Sequence, residues 1–231
     1  MFKILFQILI VLYIIFLFFN ILDLKKYNVN GMIMNSSNKD DFLIHVNSLN
    51  PTIINYENDY NIESVILDKG DSIENIDIKN RDDILIEKNR NLLKQINLYV
   101  PDLFSESKVP NISYDSVSIY KKNTSDLNKC NSNNTVLYIV DGTIKLYLFN
   151  PKHKEEIKNK DLQNIKKWSH IKKLNKGDYL SIPTNWFYIL DCDDSCVIYN
   201  KDINNIFTVI PNFIRDNYSS FTLPDFITSV I

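Results

Sequence analysis

The hydrophobic pattern divides the chain into an uninterrupted apolar stretch at the amino terminus and a longer region of short apolar segments. Residues 4–22 contain no charged side chain, and Gln7 and Asn20 are their two strongly polar residues. As a helix that rises about 1.5 Å per residue, this stretch would cover roughly 28 Å, close to the roughly 30 Å hydrocarbon core of a bilayer. We therefore predict a single-pass transmembrane anchor over residues 1–24 that enters the membrane through residues 4–22.

The same stretch is compatible with a cleaved secretory signal or with a helix buried in a globular domain. A signal has an apolar core of about 7–15 residues that ends at small residues. Here the run is longer, the chain contains no alanine, and its first glycine is Gly31, so an uncleaved anchor is favoured. Lys3 precedes the stretch and Lys25 and Lys26 follow it, so the positive charges leave the sidedness open. The five N-x-S/T sequons are close to the number that chance gives at this asparagine frequency, so the topology stays open, with a slight lean to a lumenal or extracellular carboxyl-terminal domain.

The chain after the anchor divides into a polar linker and one domain. Residues 25–41 are polar and include Gly31, which predicts a juxtamembrane linker. The remaining residues, 42–231, are enough for a single hydrophobic core. Within them, the near-helical spacing of apolar residues over 82–98 predicts a helix, and residues 206–231 predict a helical segment that packs on the domain.

Most of the domain has the pattern of an antiparallel β protein. An Asp141-Gly142 pair separates two β-rich runs and predicts a two-residue hairpin, because both central residues of a type I′ turn need positive φ. A second hairpin is predicted farther on, with Asp193 and Asp194 at its tip. Many short strands with regular turns indicate a sandwich or a barrel. The predicted fold class is mainly β with flanking helices, plus the one transmembrane helix.

Composition and charge exclude several classes of function. The 231 residues are 45% hydrophobic and 23% charged, which excludes wholesale disorder and a protein with many membrane spans. The formal net charge is -2, so no overall basic character points to a nucleic acid partner. The chain has no glycine-rich phosphate loop and no G-x-S-x-G nucleophile elbow.

Three segments resemble the cupin-like, JmjC-related hydroxylases. Residues 174–188, LNKGDYLSIPTNWFY, are similar to the family segment L-x-x-G-D-x-L-x-I-P-x-x-W-W-H. Residues 140–151 resemble the V-x-G-x-K-x-x-x-L-F-x-P hairpin, and residues 50–54 the K-P-V-V-I strand. The resemblance covers most of residues 42–200 in the right order. It implies a double-stranded β-helix, that is, a cupin or jelly-roll-like barrel, which binds Fe(II) through an H-x-D pair and a distal histidine and uses 2-oxoglutarate.

The resemblance places the family's ligands on residues that suit neither iron nor the cosubstrate. The distal histidine falls on Tyr188, the H-x-D pair on Lys129 and Asn131, and the cosubstrate lysine on Ile144. An iron site of this type needs two imidazoles and a carboxylate. Deprotonating a lysine with a pKa of about 10.4 costs roughly 4–5 kcal/mol at pH 7. We therefore expect no cofactor and no catalysis; Fe(II) and 2-oxoglutarate belong to the alternative of a hydroxylase with an atypical metal site.

Two other groups of residues are candidates for metal or redox chemistry. His153 and Glu155 have the H-x-E form, with His170 as a third ligand. They lie in a run of lysines and carboxylates, so a solvated segment is favoured over a metal site. Cys192 and Cys196 flank the second predicted turn and would form a disulfide if they faced each other across it. Free thiols are favoured over the disulfide for this pair, and metal binding is the third alternative.

Aromatic residues suggest a pocket where the iron would lie in the family. Trp186, Tyr138 and Tyr147 are candidate lining residues, and the alternative is that they fill the core. The leading hypothesis is thus a membrane-anchored, cupin-like domain that acts as a non-catalytic binding or structural module. Its ligand, a protein or a small molecule, is not readable from the sequence. Besides the hydroxylase, a second alternative to the leading hypothesis is a membrane-bound interaction protein that uses its carboxyl-terminal aromatic segment.

Overall fold

The computed structural model describes residues 2–24, 27–56, 64–69, 72–77, 83–96, 103, 112–158 and 161–204. The protein is mainly β with some helices, as predicted. The helices are α1 (Phe2–Leu24), α2 (Lys39–Asn47), α3 (Arg90–Ile96), α4 (Lys154–Lys158) and α5 (Leu162–Ile165), with 3₁₀ turns at Pro151–His153 and Lys166–Trp168. The strands are β1 (Met34–Ser36), β2 (Thr52–Asn55), β3 (Ser64–Lys69), β4 (Ser72–Asp77), β5 (Ile84–Asn89), β6 (Ile112–Thr124), β7 (Asn128–Lys129), β8 (Asn134–Phe149), β9 (Ser169–Asn175), β10 (Asp178–Pro183) and β11 (Phe187–Asn204).

Helix α1 covers the apolar stretch at the amino terminus and is 23 residues long. Its described side chains are those of residues 3–15 and Phe18, and its apolar ones are exposed. Among the residues whose placement is described, no helix is found that is both long enough and apolar enough to cross a bilayer. The anchor over residues 1–24 stays a prediction.

Two long strands organise the main sheet. Its order is β1-β2-β10-β8-β11-β6-β5, with β7 paired to β11 and β9 paired to β8, while β3 and β4 form a separate ribbon. Strands β8 and β11 run antiparallel along most of their lengths. The first part of β8 pairs with β10 and its last part with β9. Each long strand therefore belongs to two parts of the sheet, an arrangement consistent with a cupin or jelly-roll fold.

Strand β8 passes straight through Asp141 and Gly142, so the first predicted hairpin is wrong. Gly142 has the positive φ that a turn would need, 82°. It lies beside a β-bulge, where the register with β11 skips Val140 and β8 carries one more residue than β11. A Cβ at Gly142 would overlap the backbone oxygen of Ser195. A bulge and a type I′ turn both favour glycine, and pairing with β11, which the local sequence does not reveal, decides between them.

The bulge also changes which residues of β8 face the inside. Before it, Leu137 and Ile139 lie in a central cluster of buried apolar residues, and after it Ile144, Leu146 and Leu148 do. Without an extra residue, strict alternation would turn the second half of the strand inside out. The bulge therefore keeps one continuous core along a strand that bends between two parts of the sheet.

The second predicted hairpin is also a continuous strand. Asp193 and Asp194 are exposed at an irregularity of β11, where its register with β6 shifts between Cys192 and Ser195. On both sides of this bulge, β11 goes on pairing with β6. The two aspartates mark a place where the strand bulges toward solvent, which explains why they resemble a turn.

Of the two predicted helical segments of the domain, one is partly helical and the other lies outside the described residues. The helix predicted over 82–98 is half right, because its first half is strand β5 at the side of β6 and the helical part among the described residues of that range is Arg90–Ile96. The carboxyl-terminal segment over 206–231 lies outside the described residues.

Part of the predicted linker over 25–41 is folded onto the domain. Strand β1 pairs in parallel with β2, and the side chain of Asn38 caps helix α2 by accepting a hydrogen bond from the Asp41 backbone N–H at 2.9 Å. Gly31 is buried directly against the indole of Trp186. The segment that leads from α1 therefore fixes the start of the domain.

Three buried apolar clusters form layers. The first outer cluster packs beneath α2 and α3 and includes Phe42 and Leu92. The central cluster lies between the parts of the sheet. The second outer cluster packs beneath α4 and α5 and includes Ile157 and Ile165. The polar site described next lies against the central cluster.

Candidate functional site

A cavity of about 120 Å³ opens among strands β5, β6, β7 and β11. Three of its lining residues, Tyr120, Tyr188 and Leu190, belong to the central cluster, and the others are polar or charged. The full lining is Glu87, Lys88, Ser118, Tyr120, Asn128, Tyr188, Leu190 and Asn200.

The register of β7 and β11 decides which sequence candidates reach this cavity. Tyr188 pairs with Asn128, and Phe187 pairs with Lys129. Because side chains alternate along a strand, Asn128 lines the cavity with Tyr188 and Lys129 lies on the other side. The side chain of Asn131 donates to the Lys129 backbone carbonyl at 3.1 Å. The structure thus brings Tyr188 to the cavity but neither Lys129 nor Asn131. Asn128, one residue before Lys129, lines the cavity instead.

Lys88 reaches the cavity from a strained position in β5. Its φ is 43°, in the left-handed region that costs a non-glycine residue about 1–2 kcal/mol. Its backbone N–H donates to Ser118 Oγ at 2.9 Å, and its Nζ donates to Asp202 Oδ2 at 2.8 Å. The Asp202 carboxylate also accepts from Thr135 Oγ1 at 2.6 Å. Bonds on both sides therefore hold Lys88 in this conformation.

The charge states follow from burial and from these neighbours. Partial burial would lower the pKa of Lys88, but Tyr188, once ionised at high pH, and the Asp202 carboxylate outweigh it, so its pKa lies above the ordinary value and the ammonium stays charged. Burial raises the pKa of Tyr188 to about 12, against the opposing effect of Lys88. At neutral pH, the cavity therefore contains a cationic Lys88 beside a neutral Tyr188 phenol.

The remaining wall consists of hydrogen-bonding groups. Tyr120 donates its hydroxyl proton to Glu87 Oε1 at 3.3 Å, and burial followed by the Glu87 charge raises its pKa. Asn200 Nδ2 donates to Ser118 Oγ at 2.9 Å. The cavity thus offers phenols, amides and a hydroxyl, which are groups that bind polar molecules by hydrogen bonds.

These residues do not fit the iron site that the family resemblance implies. Glu87 is the one carboxylate of the lining, and no lining residue is a histidine. A charged Lys88 beside the site opposes a divalent cation. Ile144, at the position of the cosubstrate lysine, is buried among apolar residues of the central cluster. Across the described part of the chain, no three His, Cys, Asp or Glu side chains are grouped to hold a metal ion.

The three aromatic candidates for a pocket lie apart. Trp186 is in the central cluster, Tyr138 in the first outer cluster and Tyr147 in the second. None of the three lines the cavity. Tyr138 and Tyr147 both face away from the central cluster, but they lie in different halves of β8, which belong to different parts of the sheet.

The candidate cysteines and histidines lie outside the lining of the cavity. Cys192 and Cys196 are free, buried thiols on one continuous strand, so the hairpin premise of the disulfide is wrong. Interaction between the two thiols lowers the pKa of Cys192 and raises that of Cys196. The ring of His153 packs against Trp168, with 4.9 Å between the ring centres, and His170 is exposed.

Sequence reasoning missed most of the cavity. Strand parity from Tyr188 would have found Asn128, had the short strand β7 been recognised. Lys88 gave no signal, because the apolar spacing around it favoured a helix. Ser118 and Asn200 meet across β6 and β11, 82 residues apart in the chain, and no local pattern joins them.

Comparison with known proteins yields distant structural similarity and no close relative. No protein-family model matches the chain, and no curated protein does. Among solved structures, the chain is similar to the Drosophila melanogaster CENP-C cupin domain at 11% identity and a TM-score of 0.28, over 37% of this chain and 57% of that chain.

Two bacterial enzymes show similarity at the same level. Bacillus subtilis oxalate decarboxylase is 9% identical with a TM-score of 0.30, over 40% of this chain and 22% of that chain. Hydroquinone 1,2-dioxygenase from Sphingomonas sp. TTNP3 is 12% identical with a TM-score of 0.31, over 41% of this chain and 61% of that chain. This chain therefore spans less than two thirds of each of the three.

Proposed function

We propose that this protein is a membrane-anchored, cupin-like domain, related to the JmjC hydroxylases, that binds a small polar molecule without catalysis. The observation that carries the proposal is the pairing of Tyr188 with Asn128 in the cavity. These residues occupy the region where the family resemblance puts metal ligands, and they supply a phenol and an amide instead. Hydrogen bonding has taken the place of metal coordination.

The lining limits the ligand. A cavity of about 120 Å³ corresponds to roughly four water molecules at about 30 Å³ each. The Lys88 charge is offset by Asp202 at 2.8 Å, and Glu87 adds a second carboxylate. A small anion would meet this excess of negative charge, so we assign the site to a small uncharged polar molecule or to an uncharged polar side chain of a partner.

The anchor is part of the proposal because of helix α1. Within it, residues 4–22 carry no charge and as a helix would extend roughly 28 Å, close to the roughly 30 Å of a bilayer core. Its apolar side chains, Ile4, Phe6 and Leu9 among them, are exposed. Soluble proteins rarely expose an apolar surface of this extent, which supports a lipid environment for the helix. The proposal therefore assigns residues 4–22 to the membrane.

Metal analysis tests the non-catalytic assignment. The full chain, purified in detergent and incubated anaerobically with Fe(II), is expected to retain no stoichiometric iron and to turn over no 2-oxoglutarate. One tightly held iron per chain with 2-oxoglutarate turnover would overturn the proposal in favour of the atypical hydroxylase.

A restored metal site tests the location of the cavity. Asn128→His with Tyr188→His adds two imidazoles beside the native Glu87 carboxylate and completes the donor set of a facial triad. We expect this double variant to bind Co(II) with a visible absorption band that the native protein lacks, and adding Lys88→Gly to strengthen binding. Lys129→His with Tyr188→His is the matched control, one residue out of register, and is expected to give no band. Equal binding by both variants would contradict the assignment.

The ligand assignment has its own measurement. A thermal-shift screen of polyols, primary amides and short carboxylic acids is expected to find stabilisation by uncharged compounds, which Tyr188→Phe weakens. Stabilisation by carboxylic acids alone would contradict the assignment of an uncharged ligand.

A further inference from the structure

A basic and aromatic segment lies outside the cavity. Residues 166–173 read KKWSHIKK and contain four lysines and no carboxylate. They form the whole second 3₁₀ turn and most of strand β9, which in the described chain pairs with β8 alone. Two large apolar side chains of this segment are exposed, Trp168 by 36% and Ile171 by 55%. We refer to residues 166–173 as the basic strip.

The basic strip belongs to a wider region of positive charge. Residues 151–175 contain eight lysines and three carboxylates, a net charge of +5 in a chain whose total is -2. Lys166 is paired with Asp191 at 3.5 Å. The other positive charges of the strip are those of Lys167, Lys172 and Lys173. Burial, then the charges of Lys152 and His153, lower the pKa of His170, as expected in a positive field.

A series of contacts joins this strip to the segment that leaves α1. Asn150 Nδ2 donates to the backbone oxygens of Asn28 and Val29, each at 3.2 Å. The 3₁₀ turn Pro151–His153 follows Asn150, and the ring of His153 packs against Trp168. The region that holds the end of the linker is therefore the region that presents the basic strip.

The linker exposes apolar side chains beside that contact. Val29 is 54% exposed and Met32 is 62% exposed. They lie three residues apart in the chain, on either side of Gly31, which is buried against Trp186. The linker is thus fixed to the domain through its buried glycine while these two side chains point away from it.

We propose that the basic strip, together with Val29 and Met32, docks on the headgroups of anionic phospholipids next to the anchor. Tryptophan favours the membrane interface, and lysines there extend their ammonium groups to the phosphates. This inference rests on the anchor of the proposed function and adds the surface that faces the bilayer. The domain would lie on the membrane rather than extend from it, and anionic lipid of the cytoplasmic leaflet would favour that side over the lumenal or extracellular side.

Tryptophan fluorescence tests the docking in the full chain. The protein has two tryptophans, and Trp186 is fully buried, so quenching by brominated acyl chains reports Trp168. In bilayers of phosphatidylcholine with phosphatidylserine we expect strong quenching, and in pure phosphatidylcholine weak quenching. Trp168→Phe should remove the quenching in both bilayers.

Charge reversal supplies the matched control. Each lysine near an anionic surface raises the binding constant about fivefold. Lys167→Glu with Lys173→Glu should therefore lower the equilibrium constant for docking at least about 25-fold and remove the quenching. Lys122→Glu with Lys176→Glu makes the same charge change at exposed lysines outside the strip and should leave it intact.

Flotation separates failure of the docking from failure of the anchor. If the chain floats with vesicles through alkaline extraction but Trp168 is not quenched, the docking is wrong and the anchor stands. If the chain does not float, both are wrong. Quenching that is equal in the two lipids would overturn the choice of anionic lipid, and so would protection of Trp168 by oligouridine instead of lipid, since a nucleic acid is the other polyanion that suits such a strip.

Discussion

In the described part of the chain, three strands contain a residue at positive φ, and two of these residues, Gly142 in β8 and Lys88 in β5, serve different ends. Gly142 in β8 has a φ of 82° and Lys88 in β5 has a φ of 43°. At Gly142 the backbone of β11 leaves no room for a side chain. At Lys88 the side chain reaches the cavity and pairs with Asp202 at 2.8 Å.

The residue type at positive φ indicates whether such a position serves the fold or the cavity. A glycine at positive φ has no strain, so its bulge serves the fold and keeps the core continuous. A lysine at positive φ is strained by about 1–2 kcal/mol, and such strain persists where the surrounding structure holds the residue in place. We therefore interpret Gly142 as a structural position and Lys88 as a position selected for its side chain.

The largest expected effect is at Gly142. Gly142→Ala combines left-handed strain with overlap on the Ser195 oxygen, and we expect it to lower the free energy of unfolding by about 2–5 kcal/mol. Urea unfolding of the full chain in detergent measures this change. Thr143→Ala at the next position should cost less than about 1 kcal/mol, and a similar cost at both positions would contradict the structural role of the bulge.

The next effect is at the partner of Lys88. Asp202 accepts hydrogen bonds from Lys88 at 2.8 Å and from Thr135 at 2.6 Å, so Asp202→Ala should cost about 2–3 kcal/mol. Asp202→Asn keeps an acceptor for Thr135 and should cost about half as much. Chemical denaturation of both variants checks the order, and equal, small losses would show that Asp202 does not hold the cavity together.

A pH series tests the burial of Tyr188. Its pKa is about 12 in the folded chain against an ordinary 10.0, so the unfolded chain loses this proton first as the pH rises. The stabilisation is fully present below pH 10 and is lost toward pH 12, with about 1.4 kcal/mol gone at pH 11. Tyr188→Phe should reduce the loss of stability between pH 8 and pH 11 by that amount. An unchanged pH dependence in Tyr188→Phe would contradict the buried phenol.

The smallest effect contrasts two replacements of Lys88. Lys88→Gly relieves the left-handed strain while Lys88→Met keeps it, so the glycine variant should be more stable than the methionine variant by about 1 kcal/mol. Thermal unfolding of the two variants measures the difference. Methionine equal to glycine would mean that position 88 is not strained, and the contrast with Gly142 would fail.

The sequence predicted the kind of elements better than their ends. Alternating apolar residues around Asp141 and Gly142 indicated β structure correctly, yet they indicated two strands and a turn where one strand continues. The same error occurred at Asp193 and Asp194. In both places a bulge and a turn require the same residues, and the choice depends on a partner strand far away in the chain.

The candidate site was predicted in part. The resemblance correctly indicated Tyr188, which lines the cavity. It also indicated Lys129, which is one residue after Asn128, the residue that lines the cavity. One residue is enough to move a side chain to the other face of a strand. Lys88 and Asp202 are 114 residues apart, so neither could be assigned to the site without the fold.

By itself, the sequence determined the mainly β character, the long apolar helix at the amino terminus, and the absence of histidines at the positions where the family resemblance expects iron ligands. These are properties of composition and local periodicity, which the chain carries wherever it folds. The tertiary structure decided which apolar runs are single strands, which parity faces the inside, and which distant polar residues share a cavity. Those outcomes depend on strand pairing across the sheet, because a shift of one residue in register exchanges every inward side chain for its neighbour.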